Sequence, residues 1–242
     1  MHQIIDINTL FGSLPALNAD LTLDDLQTLM EKHSISRACT LSTVGILMDA
    51  GVGNAQTRVT CGDEGVLVPV ATCSPNSYFG DPSPLLAMSE AGFKAVRFFP
   101  DLQHWPADYA PFADMLDVLN SSPRPLPVMV DILTPGQMTR LAKVAGSYKG
   151  AVILAHVTPG LLAEAAAVLR HHNGWMIETS HILAPGSIGY LAGMVGDERL
   201  LFGSGAPLRS VAGTLQTLQY SGLPDASLER VLGGNAARLL GF

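Results

Sequence analysis

Basic residues are scarce in this 242-residue chain: 14 Lys and Arg stand against 21 Asp and Glu, a formal charge of −7. Nucleic-acid binding needs cations clustered along a phosphate backbone. The expected partner is therefore a small molecule and not a nucleic acid, with self-association into a homodimer left open. Cysteine is equally sparse. Cys39, Cys61 and Cys73 are odd in number and show no C-x-x-C spacing, which points to reduced, buried thiols and away from a disulfide framework or a zinc knot. No basic stretch followed by an apolar run and a cleavage site opens the chain, so a cytoplasmic protein is expected. Long apolar runs are also missing. The longest uncharged stretch, 179–195, contains Ser180, His181, Pro185, Gly186, Gly189 and Gly193, whereas a membrane span needs about 20 predominantly apolar residues. It reads as a strand end, a loop and a short buried helix, so no membrane contact is expected. Two glycine motifs are absent as well. Phe11-Gly-Ser-Leu14 is no dinucleotide fingerprint, and Gly203-Ser-Gly205 is only half of a nucleophile elbow, which argues against Ser204 as a nucleophile.

What the chain has is apolar mass and repetition. Apolar residues make up 48% and charged residues 14%, and the mean hydropathy is +0.28, as expected for extensive buried parallel strand. Short β-rich runs alternate with amphipathic helices from end to end. The predicted strands are Ile4–Ile7, Ala38–Ser42, Val66–Thr72, Ala95–Phe99, Pro127–Ile132, Ala151–Ala155, Trp175–Thr179 and Leu200–Gly203. Helix starts are marked by Thr22 with Asp25 three residues on, and by the pairs Thr134-Pro135 and Thr158-Pro159. Residues 44–64 read as a Gly-rich loop with a weak helix. Eight strands, each followed by helix, predict an α/β fold, a single (βα)8 TIM barrel filling residues 1–242 as one domain.

In such a barrel, reactive groups come from the C-terminal ends of the strands. Those places hold Asp6, Asn8, Arg97, Asp131, His156, Glu178, His181 and Ser204; the second and third strands offer only Ser42, Thr43 and Ser74. Arg97 interrupts an apolar strand, where an unpaired guanidinium would be costly. It pairs either with a barrel carboxylate, Asp6 or Asp131, or with a ligand carboxylate or phosphate. Asp6 reads as a scaffold residue that bonds backbone groups. The loop pair His104-Trp105 reads as exposed, or as a lid.

Six blocks carry a family likeness: Ile5-Asp-Ile-Asn-Thr-Leu-Phe-Gly12, Gly92-Phe-Lys-Ala-Val-Arg-Phe-Phe-Pro100, Leu126-Pro-Val-Met-Val-Asp131, Leu154-Ala-His-Val-Thr-Pro-Gly160, Arg199-Leu-Leu-Phe-Gly-Ser-Gly-Ala-Pro-Leu208 and Gly234-Asn-Ala-Ala-Arg-Leu-Leu-Gly241. In this order they resemble the amidohydrolase-2 branch of the metal-dependent amidohydrolase superfamily. The resemblance implies a barrel with a divalent metal held by His-x-His on the first strand, His on the fifth or sixth, and Asp on the eighth. This sequence has Asn8 and Leu10 at the first pair, Asp131 on the fifth strand, His156 on the sixth and Gly205 on the eighth. Leu10 and Gly205 offer no side-chain donor, so no tightly bound cofactor is expected, and a divalent metal such as zinc at most weakly. The expected activity is hydrolysis of a small carboxylate-bearing lactone, amide or ester. His156, Asp131, Glu178 and His181 would form the acid–base set, and Arg97, Asn8, Asp6 and Ser204 the substrate contacts. The alternative is a catalytically inactive barrel kept as a ligand-binding or interaction protein.

Overall fold

A computed structural model describes residues 3–62 and 65–242. Nine strands form one sheet: β1 (Ile4–Leu14), β2 (Ala19–Leu21), β3 (Ile35–Ser42), β4 (Leu67–Thr72), β5 (Ala95–Phe98), β6 (Val128–Asp131), β7 (Val152–Ala155), β8 (Trp175–Glu178) and β9 (Leu200–Leu201). Their order is β2-β1-β3-β4-β5-β6-β7-β8-β9, and every pairing except β1 with β2 is parallel. The sheet then closes on itself. Ile7 donates to the Phe202 carbonyl at 3.0 Å, Leu10 to Ala206 at 2.9 Å and Gly205 to Asn8 at 2.9 Å, joining the segment after β9 to β1. The result is the expected (βα)8 barrel with one antiparallel strand added at its rim.

Period-two alternation sorts the strand residues into two cores. Ile5, Ile7, Cys39, Leu41, Val68, Val70, Ala95, Met129, Ile153, Met176 and Leu201 fill the barrel. Their sequence neighbours, among them Ala38, Ala71, Val96, Phe98, Val130, Leu154, Ile177 and Phe202, face outward against the helices. Continuing the inward register by two residues from Ala95, Met129 and Met176 brings Arg97, Asp131 and Glu178 to the mouth. The polar layer of the site is thus a consequence of strand register.

The helices include α1 (Leu23–Lys32), α2 (Val44–Leu47), α3 (Ala50–Cys61) and α4 (Ser83–Glu90). The Thr22 cap is as expected: its hydroxyl oxygen accepts from the Asp25 amide at 3.1 Å, while Leu26 and Met30 turn inward. Thr134-Pro135 departs from expectation. The helix there, Gln137–Ala145, begins after Gly136 with no side-chain cap. Instead the Gln137 side-chain oxygen Oε1 accepts from the amides of Leu133 and Thr134 at 2.7 and 2.8 Å.

Residues 44–64 also differ from the weak helix expected. The twelve-residue α3 is capped by Asp49, whose carboxylate accepts from Val52. Its glycines serve close packing: a Cβ at Gly53 would lie 2.1 Å from the Gly45 nitrogen and 2.2 Å from its Cα. Alanine is normally favoured over glycine inside a helix by roughly 0.5–1 kcal/mol. Here the clash is with backbone that cannot swing aside, so Gly53→Ala is expected to destabilise by about 1–3 kcal/mol. A urea midpoint at or above that of the natural protein would show that α2 and α3 part without cost. Trp105 is also not exposed: it is 5% accessible, donates from Nε1 to Gln103, and packs on Phe98 and Phe112. It is a core residue and not a lid.

No helix among the described residues is long and apolar enough to cross a membrane. Cys39, Cys61 and Cys73 are all free thiols, and burial pushes each of them up.

Candidate active site

Arg97 is the centre of the polar layer. It is 2% exposed, and its guanidinium reaches β1, β6 and the turn after β7. Nε donates to Asp131 Oδ1 at 3.0 Å and Nη2 to Oδ2 at 3.3 Å. Nη1 donates to Asn8 Oδ1 at 2.6 Å, and Nη2 lies 3.2 Å from His156 Nε2. The ring of Phe99 sits 4.7 Å beneath the guanidinium carbon. Of the two partners expected for Arg97, Asp131 is the one used, and Asp6 is engaged elsewhere.

Because Arg97 can only donate, His156 Nε2 must be the acceptor. The proton then sits on Nδ1, facing Asp131 Oδ2 at 3.2 Å. Burial, first, and then the Arg97 charge hold the His156 imidazole well below its usual pKa, which fits this neutral form. Asp131 is pushed up by burial and pulled back by Arg97. His156 also carries a left-handed backbone, φ +61°, a conformation costing about 1–3 kcal/mol in a non-glycine residue. Its amide donates to Glu178 Oε1 at 2.8 Å, which holds that turn in place.

Glu178 has no exposed surface. Besides His156, it accepts from the Ser180 hydroxyl at 2.9 Å and the Ser180 amide at 2.9 Å. Gly203 makes room for it, since a Cβ there would stand 2.4 Å from Oε2. His181 meets the Ser180 hydroxyl through Nδ1 at 2.8 Å and accepts from Arg209 Nε at 3.3 Å. Burial and Arg209 lower its pKa, against the pull of Glu178. The two imidazoles lie 4.3 Å apart, centre to centre. Asn8 completes the ring by donating from Nδ2 to the Ser180 hydroxyl at 3.3 Å.

Asp6 stands outside this ring. Its Oδ1 accepts from the amides of Asn8 at 3.0 Å and Ser204 at 2.8 Å, tying the bulge in β1 to the segment after β9. Ser204 has no exposed surface, and its hydroxyl accepts from the Ala206 amide at 3.1 Å; no histidine among the described residues bonds to it. Asn8, Arg97, Asp131, His156, Glu178 and His181 are thus brought together, while Asp6 and Ser204 brace the wall behind them. Ser180 and Arg209 belong to the cluster and were not expected; neither has a motif, and both reach it through loop geometry alone. A cleft of about 570 Å³ lies elsewhere, beside Asp49, Asn54, Cys73, Tyr78 and Met88 outside the barrel wall. The barrel mouth is the more telling place for chemistry, because the ionisable groups are there.

The family model for amidohydrolases matches residues 85–242, well over half of the chain. The chain belongs to the amidohydrolase family. Solved structures agree on the fold. The 5-carboxyvanillate decarboxylase of Sphingomonas paucimobilis aligns with a TM-score of 0.76 at 12% identity, over 100% of both chains. A dihydroxybenzoic acid decarboxylase from Polaromonas, with bound manganese and 2-nitroresorcinol, gives 0.79 at 14% identity, over 100% of this chain and 97% of that one. A candidate 2-pyrone-4,6-dicarboxylic acid hydrolase from Pseudomonas putida gives 0.75 at 16%, over 100% and 98%. No curated protein matches the sequence. In this member of the family, no group of three or more His, Cys, Asp and Glu side chains among the described residues is placed to hold a metal ion. Leu10 lies in the inner core, and Gly205 packs against Ser180 and Arg209.

Proposed function

We propose that this amidohydrolase hydrolyses a small carboxylate-bearing lactone, amide or ester by acid–base chemistry without a tightly bound metal. The observation that carries this reading is the Arg97–Asp131–His156 triangle. Asp131 holds the imidazole in one tautomer, and Arg97 covers the basic nitrogen. A substrate carboxylate that draws Nη2 towards itself uncovers the lone pair of His156 Nε2. That nitrogen takes a proton from water as the water oxygen bonds to the acyl carbon, and returns it to the leaving oxygen or nitrogen when the acyl bond breaks. Arg97 and the Asn8 amide face the developing oxyanion. Glu178 does not fit the acid–base role expected from sequence: it has no exposed surface and its oxygens are held by His156 and Ser180. In this reading it is a positioning residue, fixing the His156 turn and, through Ser180, His181.

The test is turnover of a panel of small lactones, amides and esters that includes 2-pyrone-4,6-dicarboxylate, with and without chelator. 2,6-Dihydroxybenzoate belongs in it too, since relatives of this fold are named as decarboxylases. Activity is expected to survive the chelator, and His156→Ala to lower kcat/KM by about 10²–10⁴-fold. Abolition by chelator would refute the metal-free reading. The second reading, a non-catalytic binding barrel, is favoured by one observation: Asp131, His156 and His181 are 4%, 6% and 8% exposed, with their polar atoms already bonded to Arg97, to Ser180 and Arg209, or, for Asp131 and His156, to each other. Saturable binding of a panel member without turnover would support it.

A further inference from the structure

We propose that the Arg97 guanidinium is the resident cation of this site, occupying the place of a divalent metal and keeping such an ion out. The proposal rests on the metal-free reading above and deepens it. Asn8, Asp131 and His156 stand where the family resemblance implies metal ligands, on β1, on β6 and just after β7, and here each presents a lone pair to the same guanidinium at 2.6–3.3 Å. A zinc-like ion bonds such donors at about 2.0–2.2 Å, so it would have to lie in the space between those atoms that the guanidinium nitrogens fill. The two occupants are mutually exclusive.

The remaining ligand positions agree. Leu10 is buried among apolar side chains. At Gly205, φ is +71° and a Cβ would meet the Ser180 side chain at 3.1 Å and Arg209 Cγ at 3.2 Å. An aspartate there would be strained, and its space is taken by a serine and a second arginine. Charge is balanced without a metal. The Asp131 carboxylate pairs with the Arg97 guanidinium, and Ser180 and His181 link Glu178 to the Arg209 guanidinium. A divalent ion would add two charges beside two cations. The donor set therefore does not fit the ion that the Polaromonas relative holds; what it fits is a planar cation with several N–H groups.

Arg97→Met removes the charge while keeping an apolar stem, and leaves Asn8 Oδ1, the Asp131 carboxylate and His156 Nε2 converging on the freed space. Equilibrium dialysis against MnCl2, with the thermal midpoint as a second readout, is expected to find no uptake by the natural protein and no shift. Arg97→Met should take up about one ion per chain and melt several degrees higher with manganese present. Arg97→Lys, which retains a cation, and Arg97→Met/His156→Ala, which loses a donor, should take up none. One tightly held manganese per natural chain, or no uptake by folded Arg97→Met, would overturn the proposal. If Arg97→Met does not fold, the natural protein's own titration decides. Metal uptake is read independently of turnover, so a panel without substrates sinks the hydrolase reading and leaves this one standing.

Discussion

Arg97→Met is expected to lower folding stability by about 3–5 kcal/mol at pH 8 in chelator, the usual consequence of stripping one partner from a buried ion pair. The substitution leaves the Asp131 carboxylate 4% exposed and without the two N–H groups it accepts from. It also leaves Asn8 Oδ1 and His156 Nε2 unpaired. The deficit carries a pH signature. Burial already pushes the Asp131 carboxyl up, and Arg97 is the group that pulls it back, so without Arg97 the folded-state pKa rises further. An acid with a raised folded pKa contributes stability below its unfolded pKa, about 3.9, and loses that contribution as pH rises to the folded value. The gap between variant and natural protein should therefore widen from pH 4 to pH 8. Arg97→Met/Asp131→Leu should recover most of the loss, because replacing both partners by apolar groups leaves no charge stranded. Urea unfolding at both pH values measures this. A small, pH-independent loss would show that water reaches Asp131 freely and that Arg97 is not its essential partner.

The features of the sequence that led to this pair are also the ones that carried the fold. Arg97 stood out because Val96, Phe98 and Phe99 around it are apolar, and strand register alone then places it beside Asp131. The eight barrel strands were legible for the same reason, since inward and outward residues are both apolar in a sheet covered on two sides. Where the reading fell short, the cause was tertiary. The first strand expected from the sequence ends at Ile7, yet β1 runs on to Leu14 because β2 pairs there, Gly12 with Leu21 and Ser13 with Asp20. The glycines of 44–64 look like loop punctuation, yet Gly45 and Gly53 are where two helices touch. Ser180 and Arg209 lie in segments with no periodicity, so nothing local announces that their side chains complete the Glu178–His181 chain. Glu178 was visible as a strand-end carboxylate. That its oxygens face the His156 and Ser180 amides depends on the left-handed turn at His156, which a histidine does not advertise.

Asp6→Asn is expected to make the protein more stable above pH 7. Asp6 is 1% exposed, and its carboxyl is pushed from 3.8 up to about 7. Burial is the largest cause; the Ser204 hydroxyl and the amides of Ser204 and Asn8 oppose it, and the Glu178 carboxylate adds to it. Its Oδ2 has no hydrogen-bond partner of good geometry among the described residues, a position more costly for a charged oxygen than for a neutral one. The sign follows from linkage. The unfolded chain gives up this proton near pH 4 and the folded chain near pH 7, so the contribution of Asp6 is full below about pH 4 and lost as pH rises to about 7. Each unit in that window is worth about 1.4 kcal/mol, which makes the whole effect roughly 4 kcal/mol. Asparagine keeps a carbonyl for the Asn8 and Ser204 amides and has no charge to bury at any pH. The two proteins should match near pH 4 and diverge up to pH 7, with the variant ahead. Subtracting their stability curves cancels most of what Asp131 and the histidines contribute, since both chains carry them, apart from the coupling of Asp6 to Glu178. A difference that stays flat from pH 4 to pH 8 would mean that Asp6 is ionised throughout, and that the bulge in β1 is held by a charged strut and not a protonated one.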